Sequence, residues 1–135
     1  MNIILIDDDK QNVDLLGFTV ERLGFSYKKF TNPECAVEAY VSGDFDLVVT
    51  DYEMPGMNGL DVIKAVRAHN PLAIVIMVSG NVSLNLLQEK ICNLPNLFFS
   101  KPIDIKLFID TLYGYENQIK RNAVRKETPQ NFAVT

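Results

Sequence analysis

Short apolar runs alternate with stretches of helical periodicity five times along the chain. Residues 2–6 read as a first strand. Val13, Leu15, Leu16, Val20 and Leu23 then recur at roughly helical spacing, and Gly24 is placed to stop that helix at C′. Residues 25–30 form a second strand, made polar by Lys28 and Lys29, which predicts an edge position. Asn32-Pro33 joins an N-cap residue to a proline at N1, and a helix carrying Ala36, Val37, Ala39, Tyr40 and Val41 ends near Gly43. The third strand, residues 45–51, holds Leu47, Val48 and Val49, the unbroken run of a strand buried on both faces. A loop with Pro55, Gly56 and Gly59 opens a third helix, with Leu60, Val62, Ile63 and Val66 inward and Lys64 and Arg67 outward. Asn70-Pro71 ends it. The most apolar strand, residues 72–78, belongs in the sheet interior. Val82, Leu86, Leu87 and Ile91 predict a fourth helix, residues 93–96 a turn, and residues 97–100 a fifth strand. The last helix places Ile105, Phe108, Ile109, Leu112 and Ile119 on one stripe. Residues 122–135 lose that periodicity and contain Pro129, so the domain is expected over 1–121 and a tail or linker over 122–135.

Five βα units in succession predict an α/β fold, a parallel sheet with helices on both faces. Right-handed crossovers leave few topologies for a chain of this length, and the doubly wound, flavodoxin-like order 2-1-3-4-5 suits it best. In that order strands one, three, four and five deliver Asp7, Asp8, Asp51, Ser79 and Lys101 to one carboxyl edge, where open α/β sheets bind their ligands.

Composition narrows the reading. The 135 residues suffice for one domain with a real core, and 47% hydrophobic with 22% charged residues is the make-up of a globule. A formal charge of −4 argues against nucleic acid as a direct partner. That charge is uneven: the basic tail from residue 120 onward carries +3, leaving −7 on residues 1–119. Cys35 and Cys92 lack metal-ligand spacing and read as reduced, buried thiols of a cytoplasmic protein. His69 is the one histidine, which leaves little for a Ser-His-Asp or histidine-metal site. The longest apolar run, residues 72–78, is far short of a bilayer span. Residues 1–6 lack the basic flank of a signal peptide, so neither membrane nor secretion is expected.

The acids at the sheet edge carry the chemistry. Three carboxylates about 5 Å apart repel by roughly 3 kcal/mol per pair at an effective dielectric near 20. Such repulsion calls for a cation, and all-oxygen ligands with open positions suit Mg²⁺. The competing reading is that Asp7, Asp8 and Asp9 merely cap the first helix, and for Asp9 that reading is preferred. Lys101, after a buried strand and before Pro102, is placed to pair with Asp51 or with an oxygen added to it, and Ser79 offers a short hydroxyl. A carboxylate nucleophile, a Lewis acid, a cation and a hydroxyl suffice to accept a phosphoryl group.

In these residues the chain resembles the receiver domains of two-component response regulators, members of the CheY-like superfamily. Ile6-Asp7-Asp8, Asp51 with Met54-Pro55-Gly56-Met57-Asn58-Gly59, Ser79 and Lys101-Pro102 stand in order at family-like spacing over about residues 1–120. The resemblance implies that Asp51 is phosphorylated by a sensor histidine kinase or a phosphotransfer protein. It implies Mg²⁺ on Asp7 or Asp8, on Asp51 and on the backbone carbonyl of Glu53, with one acid acting through water. Ser79 would swing to hold the phosphoryl group, Lys101 would pair with it, and the Lys101–Pro102 peptide would be cis. Phe98 stands at the family's switch aromatic, whose burial would follow Ser79 and reshape the surface of the last two helices. Its other reading is core packing beside Phe99, with one of the two rings facing the core. Asn58 replaces the family's usual aspartate, and either residue caps a helix. Leu94-Pro95 replaces Gly-Ala, while Glu53 and Asn81 occupy positions that tune phosphoryl lifetime in the family.

A signalling switch, and no enzyme beyond self-phosphorylation and self-dephosphorylation, is the expected function. Its output is expected through a downstream protein partner or a C-terminal output domain, with Leu107 and Tyr113 as candidate residues for a partner or phosphorylation-dependent homodimer surface. The alternative is a small Mg²⁺-dependent phosphohydrolase with Asp7 as nucleophile, since Asp7-x-Asp9 follows a first strand. Gln11 stands where that pattern needs a hydroxyl, and no later acidic pair follows the lysine. A third reading, a binding module with a degenerate site, is opposed by the intact acids, Ser79 and Lys101.

Overall fold

The computed structural model describes residues 1–80 and 95–127, apart from the side chains of 125–127. The expected fourth helix, Asn81, Cys92, Leu94 and residues 128–135 lie outside the described residues. The chain divides into two compact units, Met1–Pro102 and Ile103–Thr135. In the first, β1 (Asn2–Ile6), α1 (Lys10–Arg22), β2 (Ser26–Phe30), α2 (Pro33–Ser42), β3 (Leu47–Asp51), α3 (Gly59–His69), β4 (Ile74–Ser79) and β5 (Leu97–Ser100) follow in order. The five strands pair in parallel in the order β2-β1-β3-β4-β5.

The apolar runs are buried as a sheet covered on both faces requires. Ile3, Ile4, Leu5, Leu47, Val48, Val75, Ile76 and Met77 are wholly buried. Ile4, Ile6, Val48 and Met77 share one cluster with Ala36 and Tyr40 of α2 and Val62, Ile63 and Val66 of α3. Alternation turns Ile3 and Leu5 to the opposite face, where α1 packs through Val13, Leu16 and Val20. The edge strand β2 is mostly exposed, as its lysines lead one to expect.

Local signals set the helix ends. Asp9 caps α1 by accepting from the Gln11 and Asn12 amides, and Gly24, at φ +82°, turns the chain after it. Asn32 caps α2 with Pro33 following. Asn58 and Asp61 form a reciprocal capping box on α3, so the Asn58 departure preserves the cap.

Four expectations are corrected. Cys35, read as a buried thiol, is exposed on α2, on the face turned away from Ala36 and Tyr40. Leu15, grouped with the inward residues of α1, is 57% exposed, because the sheet covers a stripe that Leu16 already fills. Leu72, assigned to the fourth strand, is 87% exposed in the turn before β4. Arg67, expected outward, is half-buried and bonded to Ala73 and Asn96.

The second unit carries helix α4, Ile105–Glu127. Asp104 starts it, accepting from the Leu107 amide at 3.1 Å. The helix continues through residues 122–127, the first part of the segment expected as tail.

Candidate functional site

The register of the sheet brings the acids together. Ile6 pairs with Thr50 and Asp51 with Val78, so Asp7, just past β1, lies beside the end of β3. One carboxylate oxygen from each of Asp7, Asp8 and Asp51 lies within 4.8 Å of the others. Asp7 and Asp51 are 3% and 6% exposed, while Asp8 is open to solvent. Lys101 reaches over from the end of β5, its Nζ 3.3 Å from Asp7 Oδ2 and 3.3 Å from Asp51 Oδ2. The remaining oxygens are held by backbone: Asp9 N–H donates to Asp7 Oδ1 at 2.9 Å and Tyr52 N–H to Asp51 Oδ1 at 2.8 Å. Ser79, buried, ends β4, and its carbonyl accepts from the Lys101 amide at 3.0 Å. The Lys101–Pro102 peptide is cis.

Burial and charge decide the protonation of this cluster. Burial, reinforced by the neighbouring Asp7 carboxylate, raises the Asp51 pKa against the opposing pull of Lys101 and the Tyr52 amide. For Lys101 burial works to lower the pKa, but Asp7 and Asp51 together outweigh it and leave the ammonium held above its ordinary value. The site therefore carries a fixed cation between two buried acids, one of which is poorly solvated as an anion.

The loop after β3 is tied down with it. Gly59 N–H donates to the Tyr52 carbonyl at 2.8 Å and Tyr52 N–H to the Val78 carbonyl at 3.0 Å. A Cβ at Gly59 would stand 2.7 Å from the Asp51 carbonyl oxygen and 2.9 Å from Tyr52 Cα, so only glycine permits this approach. Sequence reading treated Gly59 as a helix start and missed this role, which arises from tertiary contact rather than from any local pattern. Beside the cluster, Asp8, Tyr52, Glu53, Met54, Pro55 and Asn58 line an open cleft of about 500 Å³. Glu53 is exposed at its rim.

Phe98 is half-buried against the α2–α3 side of the sheet, while Phe99 is buried. The expectation that one ring alone faces core is corrected: alternation sends the two rings to opposite faces, and a parallel sheet has core on both.

A doubly wound sheet with three convergent carboxylates, an ion-paired lysine and a strand-end serine at its carboxyl edge is the arrangement of a phosphoryl-accepting switch domain. The response regulator receiver domain model matches residues 3–113, and the chain belongs to that family. It is 26% identical over 107 residues to a cyclic di-GMP phosphodiesterase of Thermotoga maritima, covering 79% of this chain and 28% of the relative. It is 34% identical over 85 residues to the transcriptional regulatory protein FixJ of Bradyrhizobium diazoefficiens, covering 62% of this chain and 42% of FixJ. The chain thus spans less than half the length of these relatives. Among solved structures, the response regulator TrrA of Thermotoga maritima, in complex with Mg²⁺ and BeF, matches with a TM-score of 0.75 at 23% identity over 84% of this chain and 97% of that one. No helix among the described residues is long and apolar enough to cross a membrane.

Proposed function

We propose that this chain is a phosphorelay switch in which Asp51 accepts a phosphoryl group from the histidine of a kinase or phosphotransfer protein. The observation that carries the reading is Lys101, whose ammonium lies 3.3 Å from both Asp51 and Asp7 inside a cluster completed by Asp8. In the transfer an Asp51 carboxylate oxygen forms the new O–P bond as the P–N bond of the phosphohistidine breaks, its electron pair remaining on the imidazole. Tyr52 N–H holds one Asp51 oxygen in place, and Lys101 stands ready to pair with the charge brought in by the phosphoryl oxygens. Ser79, at the end of the neighbouring strand, is the hydroxyl assigned to the arriving group.

The donor set fits Mg²⁺: three hard oxygen ligands gathered on one side and open to water through Asp8. Asp7, Asp8, Asp51 and the Glu53 carbonyl are the residues that would hold it, and when bound it supplies charge neutralisation to the transferring phosphoryl group. The chain's output, through Phe98 and neighbouring surfaces, reaches a downstream partner, a further domain or a second copy of itself. The alternative with Asp7 as nucleophile is not favoured, because the receiver family model matches residues 3–113 and Gln11 stands where the phosphohydrolase pattern needs a hydroxyl.

Acetyl phosphate with Mg²⁺ tests the proposal, read by intact-protein mass because the chain has no tryptophan to quench. Wild type should gain one phosphoryl group and Asp51→Asn none. Equal uptake by Asp51→Asn, or turnover of a phosphoester that needs Asp7 and not Asp51, would overturn it.

A further inference from the structure

We propose that Arg67 and Asn96, at the end of the sheet away from the carboxylates, are positioning residues that set the register of β5 and so place Lys101. β5 is an edge strand of four residues, too short for its own ladder to define its alignment strongly. Asn96, the residue before it, grips one residue of β4 from both sides. Its amide donates to the Val75 carbonyl at 2.8 Å, and its side-chain oxygen accepts from the Val75 amide at 2.8 Å. Arg67 Nη2 donates to the same Asn96 oxygen at 2.9 Å, and Arg67 Nε reaches the Ala73 carbonyl at 3.4 Å. One guanidinium on α3 thereby joins the start of β4 to the start of β5.

The identity of the residue matters to the alignment. A slip of one position would bring Pro95 or Leu97 opposite Val75, and neither has a side-chain acceptor for its amide or for Arg67. The same slip would carry Lys101 about 3.3 Å along the strand and turn it to the other face. Its ammonium would then lose both carboxylates, each of which it now meets at 3.3 Å. From Asn96 to Lys101 the pairing runs without interruption, ending in the Lys101 amide on the Ser79 carbonyl. The clamp at one end thus fixes the distance travelled at the other.

The importance of this clamp for signalling rests on the proposed role of Lys101, but its placement of Lys101 is measurable without any phosphoryl transfer. Asn96→Ala, Asn96→Asp and Arg67→Met would be labelled briefly with an amine-acylating reagent, and modification at Lys101 compared by peptide mass spectrometry with the exposed Lys64 in the same sample. Asn96→Ala and Arg67→Met should raise the Lys101-to-Lys64 ratio several-fold. Asn96→Asp, which keeps an acceptor for both Val75 and Arg67, should match wild type. Far-UV circular dichroism confirms that each variant is folded, and general loosening would also speed hydrogen exchange of the buried β1 and β3 amides, which should instead match wild type. An unchanged ratio in folded Asn96→Ala, or a rise in Asn96→Asp equal to that in Asn96→Ala, would overturn the proposal. Acetyl phosphate uptake in the same variants should fall as the ratio rises. Normal labelling with no uptake by any variant, wild type included, would instead fault the assignment of Asp51.

Discussion

Replacing Asp51 by asparagine should make the metal-free protein more stable at neutral pH. The attraction of Lys101 for Asp51 at 3.3 Å is worth about 5 kcal/mol at an effective dielectric near 20. Repulsion from Asp7, with oxygens within 4.8 Å, returns about 3 kcal/mol at the same dielectric. The Lys101 pair keeps an edge of about 2 kcal/mol, which the loss of water around a carboxylate that is only 6% exposed outweighs. That burial heads the causes holding the Asp51 pKa up, with Asp7 second. An amide has no charge to desolvate, and its single oxygen can accept from Lys101 or from Tyr52 N–H but not from both at their present positions. With desolvation of a buried ion worth several kcal/mol, a net gain of about 1–2 kcal/mol is expected. Since the shift is upward, the folded chain holds the Asp51 proton more tightly than the unfolded chain does. This contribution is full below the ordinary aspartate value of 3.8 and is lost as pH rises through the folded pKa. Asp51→Asn escapes that loss, so its advantage should be absent in acid and established by neutral pH. Urea unfolding in EDTA, followed by far-UV circular dichroism across pH, measures it. Added Mg²⁺ should reverse the order by stabilising wild type, by about 2.7 kcal/mol at a hundred times its dissociation constant. A variant less stable than wild type in EDTA at neutral pH would refute the argument that burial outweighs the Lys101 pair.

Lys101→Met should cost about 2–4 kcal/mol at neutral pH by leaving two buried carboxylates without their cation, and distinctly less in an Asp51→Asn background. A double-mutant cycle by urea unfolding checks this. Because its pKa is raised, Lys101 contributes fully below its ordinary value of 10.5, and that share of stability should fade above it in wild type but not in Lys101→Met. Gly59→Ala should cost about 1–3 kcal/mol, since the new Cβ meets backbone at 2.7 Å, and should slow phosphoryl uptake in the mass assay. Asn58→Ala should lower stability by about 1 kcal/mol through the lost cap, with Asn58→Asp close to wild type in the same unfolding experiment.

The parts of this molecule readable in sequence are those written in local chemistry. Strand order followed from five repeated βα units, and the N-caps Asp9, Asn32 and Asn58 announced α1, α2 and α3 by residue type. The acids and Lys101 were legible because each ends a strand of the same sheet edge. What escaped depends on partners distant in sequence. Arg67 reads as a solvated charge until Asn96, 29 residues on, is seen beside it. Leu15 and Leu16 are equally apolar, and only the width of the covered stripe separates them. Helix α4 outlasts its apolar stripe because Arg121, Ala123, Arg125, Lys126 and Glu127 are strong helix formers, a signal distinct from periodicity. Gly59 carries no local mark of the contact it makes with Asp51.

The claim at the centre is that the rim carboxylates, with a divalent ion, make Asp51 the nucleophile. Borohydride reduces an acyl phosphate to the alcohol, so treating the protein after brief exposure to acetyl phosphate marks the acceptor permanently, and tandem mass spectrometry locates it. Homoserine should appear at residue 51 alone, in the presence of Mg²⁺, and vanish in EDTA. Homoserine at residue 7 or 8, or at residue 51 with equal yield in EDTA, would contradict the account.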